Sequence, residues 1–325
     1  MKQGYVSHST KHAAPQLFTG ASAPKKKSLC GSDSEPPYTP HVKCNWPKKP
    51  PRPAADRIEL KICFIERKTK MTNREILEVA MKQSAIDENC EPNDFCKEQN
   101  VIVTSTDNDG ARKYLVLPFY CNLVSYGYNI VASVNPDIAD FVKYYIDKYS
   151  FEHCFETPNM HVLNDELQKR GMRICFMAEY FLPDMNILRS LPCDYELKVL
   201  SLCNFKDLYQ PQWSNALCEK RKHLDVLAIG AYEGEKLIGL AGCSADCDTM
   251  WQIGVDVLSD YRRNGIASAL TSRLAIEIIN KGKVPFYCAA WSNIKSVRNA
   301  IRSGFRPAWV EMTAKNYEFV SELNQ

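Results

Sequence analysis

Arg262, Arg263, Asn264 and Gly265 stand together in VDVLSDYRRNGIASAL, residues 255–270, between a strand-like run and a helix whose opening glycine leaves the backbone uncovered. The N–H groups of a first helical turn have no partner inside the helix, and the macrodipole places partial positive charge there. Gly265 and Ala267 remove side-chain bulk where a phosphate would approach, and the two arginines would add charge-assisted bonds to its oxygens. Ile266, Leu270, Leu274 and Ile278 recur at helical spacing and keep the opposite face in a core. The chemistry is anion binding, in a cradle that suits a diphosphate. The pattern is not a P-loop, which needs Gly-Lys-Ser/Thr, and it does not stand at a first strand as a Rossmann glycine motif would.

Other reactive residue types are present without a comparable setting. The pairs Cys243/Cys247 and Cys90/Cys96 lack further His or Cys at zinc spacing, and the two histidines and glutamate of HCFETPNMH, residues 153–161, would have to converge to hold a cation. No metal site is expected. The 14 cysteines are scattered through a chain in which no secretory signal is read, so reduced thiols and a cytoplasmic location are expected. No stretch approaches 18 uninterrupted apolar residues, so no membrane span is expected.

The elements that must position the cradle fall in three stretches. Residues 1–60 hold nine of the 18 prolines, and ten Lys or Arg against four Asp or Glu, with no apolar period. Residues 1–70 therefore read as a disordered basic leader. Because the positive charge lies there alone, nucleic-acid binding is not expected of the folded part. A capping box, Thr72 with Glu75, opens a helix and marks a fold boundary near Met71. Residues 71–192 read as an α+β domain: strands at NVIVTST, RKYLVLPFY and NIVASV, helices at PDIADFVKYYIDKY and NMHVLNDELQKRG, then the apolar run MRICFMAEYFLP. Residues 193–325 give strand YELKVLS, two helical pieces broken at Pro211, a strand pair turned at EGEK, strand MWQIGVDVL, the Gly265 helix, strand VPFYCAAW, helix NIKSVRNAIRSG and strand FRPAWVEMTAK. That order predicts an α/β (α+β) fold, a mixed central sheet with helices on both faces.

In this setting VDVLSDYRRNGIASAL resembles the acetyl-coenzyme A motif of the GNAT superfamily of N-acyltransferases, and WSNIKSVRNAIRSGF resembles the strand–helix segment that follows it; the likeness spans about residues 194–315. The resemblance implies that Arg262, Arg263, Asn264, Gly265, Ile266, Ala267 and Ser268 surround a coenzyme pyrophosphate. It also implies that the strand edge at Val255, Asp256 and Val257 bonds the pantetheine arm as an added strand would. Val255 and Val257 face one side of the sheet and Asp256 the other. Asn293 matches a polar contact to that arm and is equally placed to cap a helix.

The resemblance further implies acetyl transfer from acetyl-coenzyme A to a primary amine by direct attack, with a small-molecule or peptide acceptor. An alternative is a regulatory module that binds acyl-coenzyme A without turnover. Many members use a tyrosine four residues before the glycine of GF as proton donor, and here that position is Ala300. Ser296 matches a serine used in another subgroup, although its hydroxyl could instead bond its own helix. For the base, Asp248 leads Asp246, Glu219 and His223, any of which is also at home as a loop or surface charge. GMRICFMAEYF echoes GFRPAWVEM, so the first domain is expected to be a degenerate copy of the second, the pair forming a tandem.

Overall fold

Thr72 starts the first element among the described residues. Its hydroxyl accepts from the Glu75 amide while the Glu75 carboxylate accepts from the Thr72 amide at 2.7 Å, the capping box expected from sequence. Helix α1, Asn73–Glu88, follows and buries Ile76, Ala80, Met81 and Ala85. The computed structural model describes residues 71–324, and the expected leader, residues 1–70, lies outside the described residues.

Among the described residues ten strands form a single sheet. They are β1 (Val101–Thr104), β2 (Cys121–Ser125), β3 (Val131–Val134), β4 (Met172–Pro183), β5 (Glu196–Leu200), β6 (Asp225–Glu233), β7 (Lys236–Ser244), β8 (Met250–Val257), β9 (Val284–Ala290) and β10 (Phe305–Asn316). Their spatial order is β1-β3-β2-β10-β4-β9-β8-β7-β6-β5. The pairs β1–β3 and β8–β9 are parallel and the rest antiparallel, which makes the sheet mixed, as the element order predicts. Helices α2 (Ala139–Lys148), α3 (Thr157–Gln168), α4 (Ile266–Asn280) and α5 (Ile294–Arg302) bury their apolar stripes on one face, and α1 covers the other. A short α6, Tyr317–Leu323, ends the described chain.

Residues 71–192 and 193–324 share this sheet. Strand β10 lies between β2 and β4, antiparallel to both, and β4 in turn pairs with β9. On the α1 face the junction is sealed by Arg112, only 2% exposed, whose Nη2 donates to Glu311 Oε1 of β10 at 2.8 Å and whose Nε meets Asp87 of α1. The Tyr114, Tyr180, Phe286 and Trp309 rings surround the guanidinium within 6 Å.

Two sequence expectations fail for identifiable reasons. The strand expected at RKYLVLPFY is a loop, because Asp87 takes the Arg112 amide at 2.9 Å and a turn closes from Leu115 N–H to Arg112 O. The helical pieces expected after β5 are short 3-10 turns, Leu202–Asn204, Lys206–Leu208, Pro211–Trp213 and Glu219–Leu224. Carboxylates on the sheet hold their amides: Asp225 accepts from Cys218 N–H at 2.8 Å, and Asp256 accepts from Asn215 and Ala216.

Candidate active site at the mouth of the β8–β9 fork

Between β8 and α4 the chain makes a tight, exposed turn. Arg262 Nε donates to Val257 O at 2.9 Å, and Arg263 and Gly265 take left-handed backbone angles, φ 71° and 76°. The first return bond of α4 runs from Ala269 N–H to Gly265 O at 3.0 Å, so the Ile266, Ala267 and Ser268 amides lead the helix without intrahelical partners. A Cβ placed on Gly265 would meet no atom within 4 Å. The space before these amides is open. Behind them Ile266, Leu270, Leu274 and Ile278 are buried at 1% exposure or less, as their spacing predicts.

Beside the turn the sheet splits. Strands β8 and β9 pair only over Met250–Ile253 and Val284–Tyr287. Past that point Gly254–Val257 bond only β7, and Cys288–Ala290 only β4, which leaves two facing backbone edges without a shared ladder among the described residues. An extended chain with amide groups can add to such an edge. Val255 and Val257 pack toward the α4 core, and Asp256 projects to the other face, as alternation requires.

That other face is roofed by residues 211–217. Asp256 Oδ2 accepts from the Asn215 and Ala216 amides at 2.8 and 2.9 Å, and Oδ1 accepts from Asn215 Nδ2 at 2.6 Å. Burial pushes the Asp256 carboxyl up, and these three donors pull it back. The roof sits directly on Gly242, the cross-strand neighbour of Gly254; a Cβ there would overlap the Ala216 carbonyl oxygen. Gly242→Ala is therefore expected to lower stability by roughly 1–3 kcal/mol, the usual penalty for overpacking, read as a lower denaturation midpoint at unchanged slope.

The structure gathers most of the sequence-predicted residues at this fork. Arg262, Arg263, Asn264, Gly265, Ile266, Ala267 and Ser268 form the turn, and Val255, Asp256 and Val257 form the free edge. The Ser268 hydroxyl is turned inward, donating to Asn299 Oδ1 at 3.0 Å, so its amide rather than its side chain serves the turn. Asn293 caps α5, its Oδ1 accepting from the Ser296 amide at 3.2 Å. Ser296 Oγ lies 2.8 Å from the Tyr287 hydroxyl. Ala300 is fully buried in the α4–α5 core.

Asp248 is not brought to the fork. It is exposed on the turn that precedes β8, five residues before Ile253 at the fork apex; at about 3.3 Å per residue that separation is on the order of 15 Å. Asp246 is buried and paired with Arg221 and the Ser244 hydroxyl, while Glu219 and His223 lie on an exposed 3-10 turn. Residues 153–161 span a 3-10 turn and the start of α3, and no group of three or more potential metal ligands converges among the described residues.

Tyr287 is the residue that sequence reasoning passed over. It lies at the apex of the fork, opposite Ile253, and strand alternation in VPFYCAAW was the available signal that it faces the same side as α4. Burial pushes its phenol up, so it stays neutral at ordinary pH.

An uncovered helix start beside an opened pair of parallel strands matches the architecture of an acyl-coenzyme A transferase, and residues 136–308 match the family model for the GNAT acetyltransferase domain. The chain belongs to the GNAT acetyltransferase family, whose members typically use acetyl-coenzyme A. The matched region begins well before the motif-bearing segment and includes α2, α3 and β4.

Among solved structures the chain is similar to a GCN5-related N-acetyltransferase-like protein from Streptococcus suis (19% identity, TM-score 0.36, covering 49% of this chain and 69% of that one). It is similar to a tandem GNAT protein from the clavulanic acid biosynthesis pathway (13%, 0.32, 44% and 54%). A Drosophila protein matches over 77% of this chain and 92% of its own, at 13% identity and TM-score 0.36. The chain spans about two thirds of the first bacterial relatives it matches. No curated protein matches it. No helix among the described residues is long and apolar enough to cross a membrane.

Proposed function

We propose that this protein transfers the acetyl group of acetyl-coenzyme A to a primary amine by direct attack. The observation that carries the reading is the open first turn of α4 set against the unpaired edge of β8. The donor set fits the coenzyme: three leading amides and two arginine side chains suit a diphosphate, and the amide-bearing pantetheine arm suits a free strand edge. Arg262, Arg263, Asn264, Gly265, Ile266, Ala267 and Ser268 would hold the diphosphate. Val255, Asp256 and Val257 would hold the arm through their backbone, directing it from the turn toward the fork apex.

The acceptor would approach from the face roofed by residues 211–217, opposite α4. A lysine-like amine, with a pKa of about 10.4, is almost wholly protonated near neutrality and must lose a proton before it can attack. Attack forms the C–N bond and places negative charge on the thioester oxygen, which a backbone N–H of the β8 edge can stabilise. The C–S bond then breaks and sulfur leaves as thiolate. Ser296, on the first turn of α5, is the hydroxyl placed to donate a hydrogen bond to it. The position of Asp248 supports no role for it as base, so water carries away both protons that the ammonium loses, one before attack and one after the C–N bond forms.

Two facts, the buried Ala300 and the distant Asp248, favour the second reading, a coenzyme-binding module without turnover. A thiol-release assay over polyamines, amino acids, aminoglycosides and peptide amino-termini decides between them. The enzyme reading expects release with one class, and Ser296→Ala slowing it roughly 10-fold or more while acetyl-coenzyme A binding is retained. Tight binding with no release from any class would establish the module instead.

A further inference from the structure

We propose that Tyr287 is a positioning residue that aims the Ser296 proton at the departing sulfur. The inference rests on the acetyltransferase reading above and adds one residue to it. The Tyr287 phenol oxygen stands 2.8 Å from Ser296 Oγ.

Either hydroxyl of the pair can donate, and acidity sets the direction: a phenol, with a pKa of about 10, is a stronger acid than an alcohol, so its single proton goes to Ser296 Oγ and the serine proton is left for an acceptor outside the pair. Tyr287 is 5% exposed, whereas Ser296 is half-buried. Tyr287 also stands where β8 and β9 part, opposite Ile253, so the hydroxyl it orients is held next to the reactive end of an arm lying on the β8 edge. Ala300 contributes no hydroxyl, and the strand residue Tyr287 supplies one to the same cluster.

The pair donates a hydrogen bond and keeps its protons. An alkyl thiol, with a pKa of about 8.5, is a far stronger acid than an alcohol, so transfer from serine to thiolate would be uphill. The sulfur leaves as thiolate, is stabilised by the Ser296 O–H, and takes its proton from water after release; the two protons that the ammonium gives up go to water in the same turnover.

The test uses the full chain, acetyl-coenzyme A, and the amine that the wild-type protein turns over fastest in the thiol-release panel. Tyr287→Phe removes one oxygen atom and keeps the ring that packs at 6.3 Å from Phe305. The expected result is a kcat lower by about 5–10-fold, an acetyl-coenzyme A Kd by calorimetry within twofold of wild type, and a Tyr287→Phe/Ser296→Ala double variant no slower than Ser296→Ala alone. A Tyr287→Phe protein with wild-type kcat, or a double variant in which the two losses multiply, overturns the inference. If the wild-type protein releases no thiol with any amine, the acetyltransferase reading fails first and this one falls with it.

Discussion

Gly265→Glu is expected to weaken acetyl-coenzyme A binding by at least about 100-fold while leaving the fold intact. Two effects compete at this position and their sizes separate them. Forcing any side-chain-bearing residue to φ 76° costs about 1 kcal/mol, and no atom within 4 Å adds a clash. A carboxylate at a helix start is itself favourable, so stability changes little. Against a bound diphosphate the same carboxylate is repulsive: at about 5 Å and an effective dielectric near 20, each unit of like charge costs roughly 3 kcal/mol. That alone exceeds two decades in Kd. Gly265→Ala carries the conformational cost without the charge and is expected to lose less than about tenfold. Calorimetric titration of both variants checks the pair; equal losses would mean that backbone shape, rather than charge, governs the turn.

Arg112→Met is expected to cost roughly 3–5 kcal/mol of stability, the range for removing one partner from a buried ion pair. The guanidinium is 2% exposed and joins Asp87 of α1 to Glu311 of β10, so its loss leaves two buried carboxylates facing aromatic rings. For a folded unit of this size, a thermal midpoint lower by roughly 10 °C is expected. The deficit should depend on pH with a definite sign. Burial already raises the Asp87 carboxyl and Arg112 opposes that rise. Without the arginine the folded-state pKa stands further above the unfolded value, the folded state binds more protons, and stability falls as pH rises through the folded pKa. The variant should therefore lie closer to wild type at pH 5 than at pH 8, by thermal melts at both. A midpoint at pH 8 within 2 °C of wild type would show that the cluster does not hold α1 and β10 together.

How much of this was visible in the residues depends on the range of the interaction concerned. The cradle was legible because everything that makes it is local: strand alternation to Val257, a positive-φ glycine, and an apolar stripe from Ile266 to Ile278. The Thr72 capping box was legible for the same reason. The fork was not, since nothing in VDVLS or FYCAAW states that their pairing stops at Ile253 and Tyr287; that is a property of two strands separated by a helix. Nor was the insertion of β10 between β2 and β4, which joins residues almost 200 positions apart. The failures after β5 and at RKYLVLPFY share one cause. Asp256 and Asp87 reach from distant elements to take amides that local pattern assigned to a helix or a strand. Ser296 could be named from its motif, but its partner Tyr287 needed coordinates, because the two meet across a strand-to-helix turn.

The most direct test of the proposed coenzyme site is amide hydrogen exchange with and without acetyl-coenzyme A, resolved to single residues. The account predicts slowed exchange at the amides of Ile266, Ala267 and Ser268 and along the free edge Gly254–Val257, with little change on β5 or α2. Saturable binding that protects some other surface and leaves those amides exchanging at their free rate would contradict it.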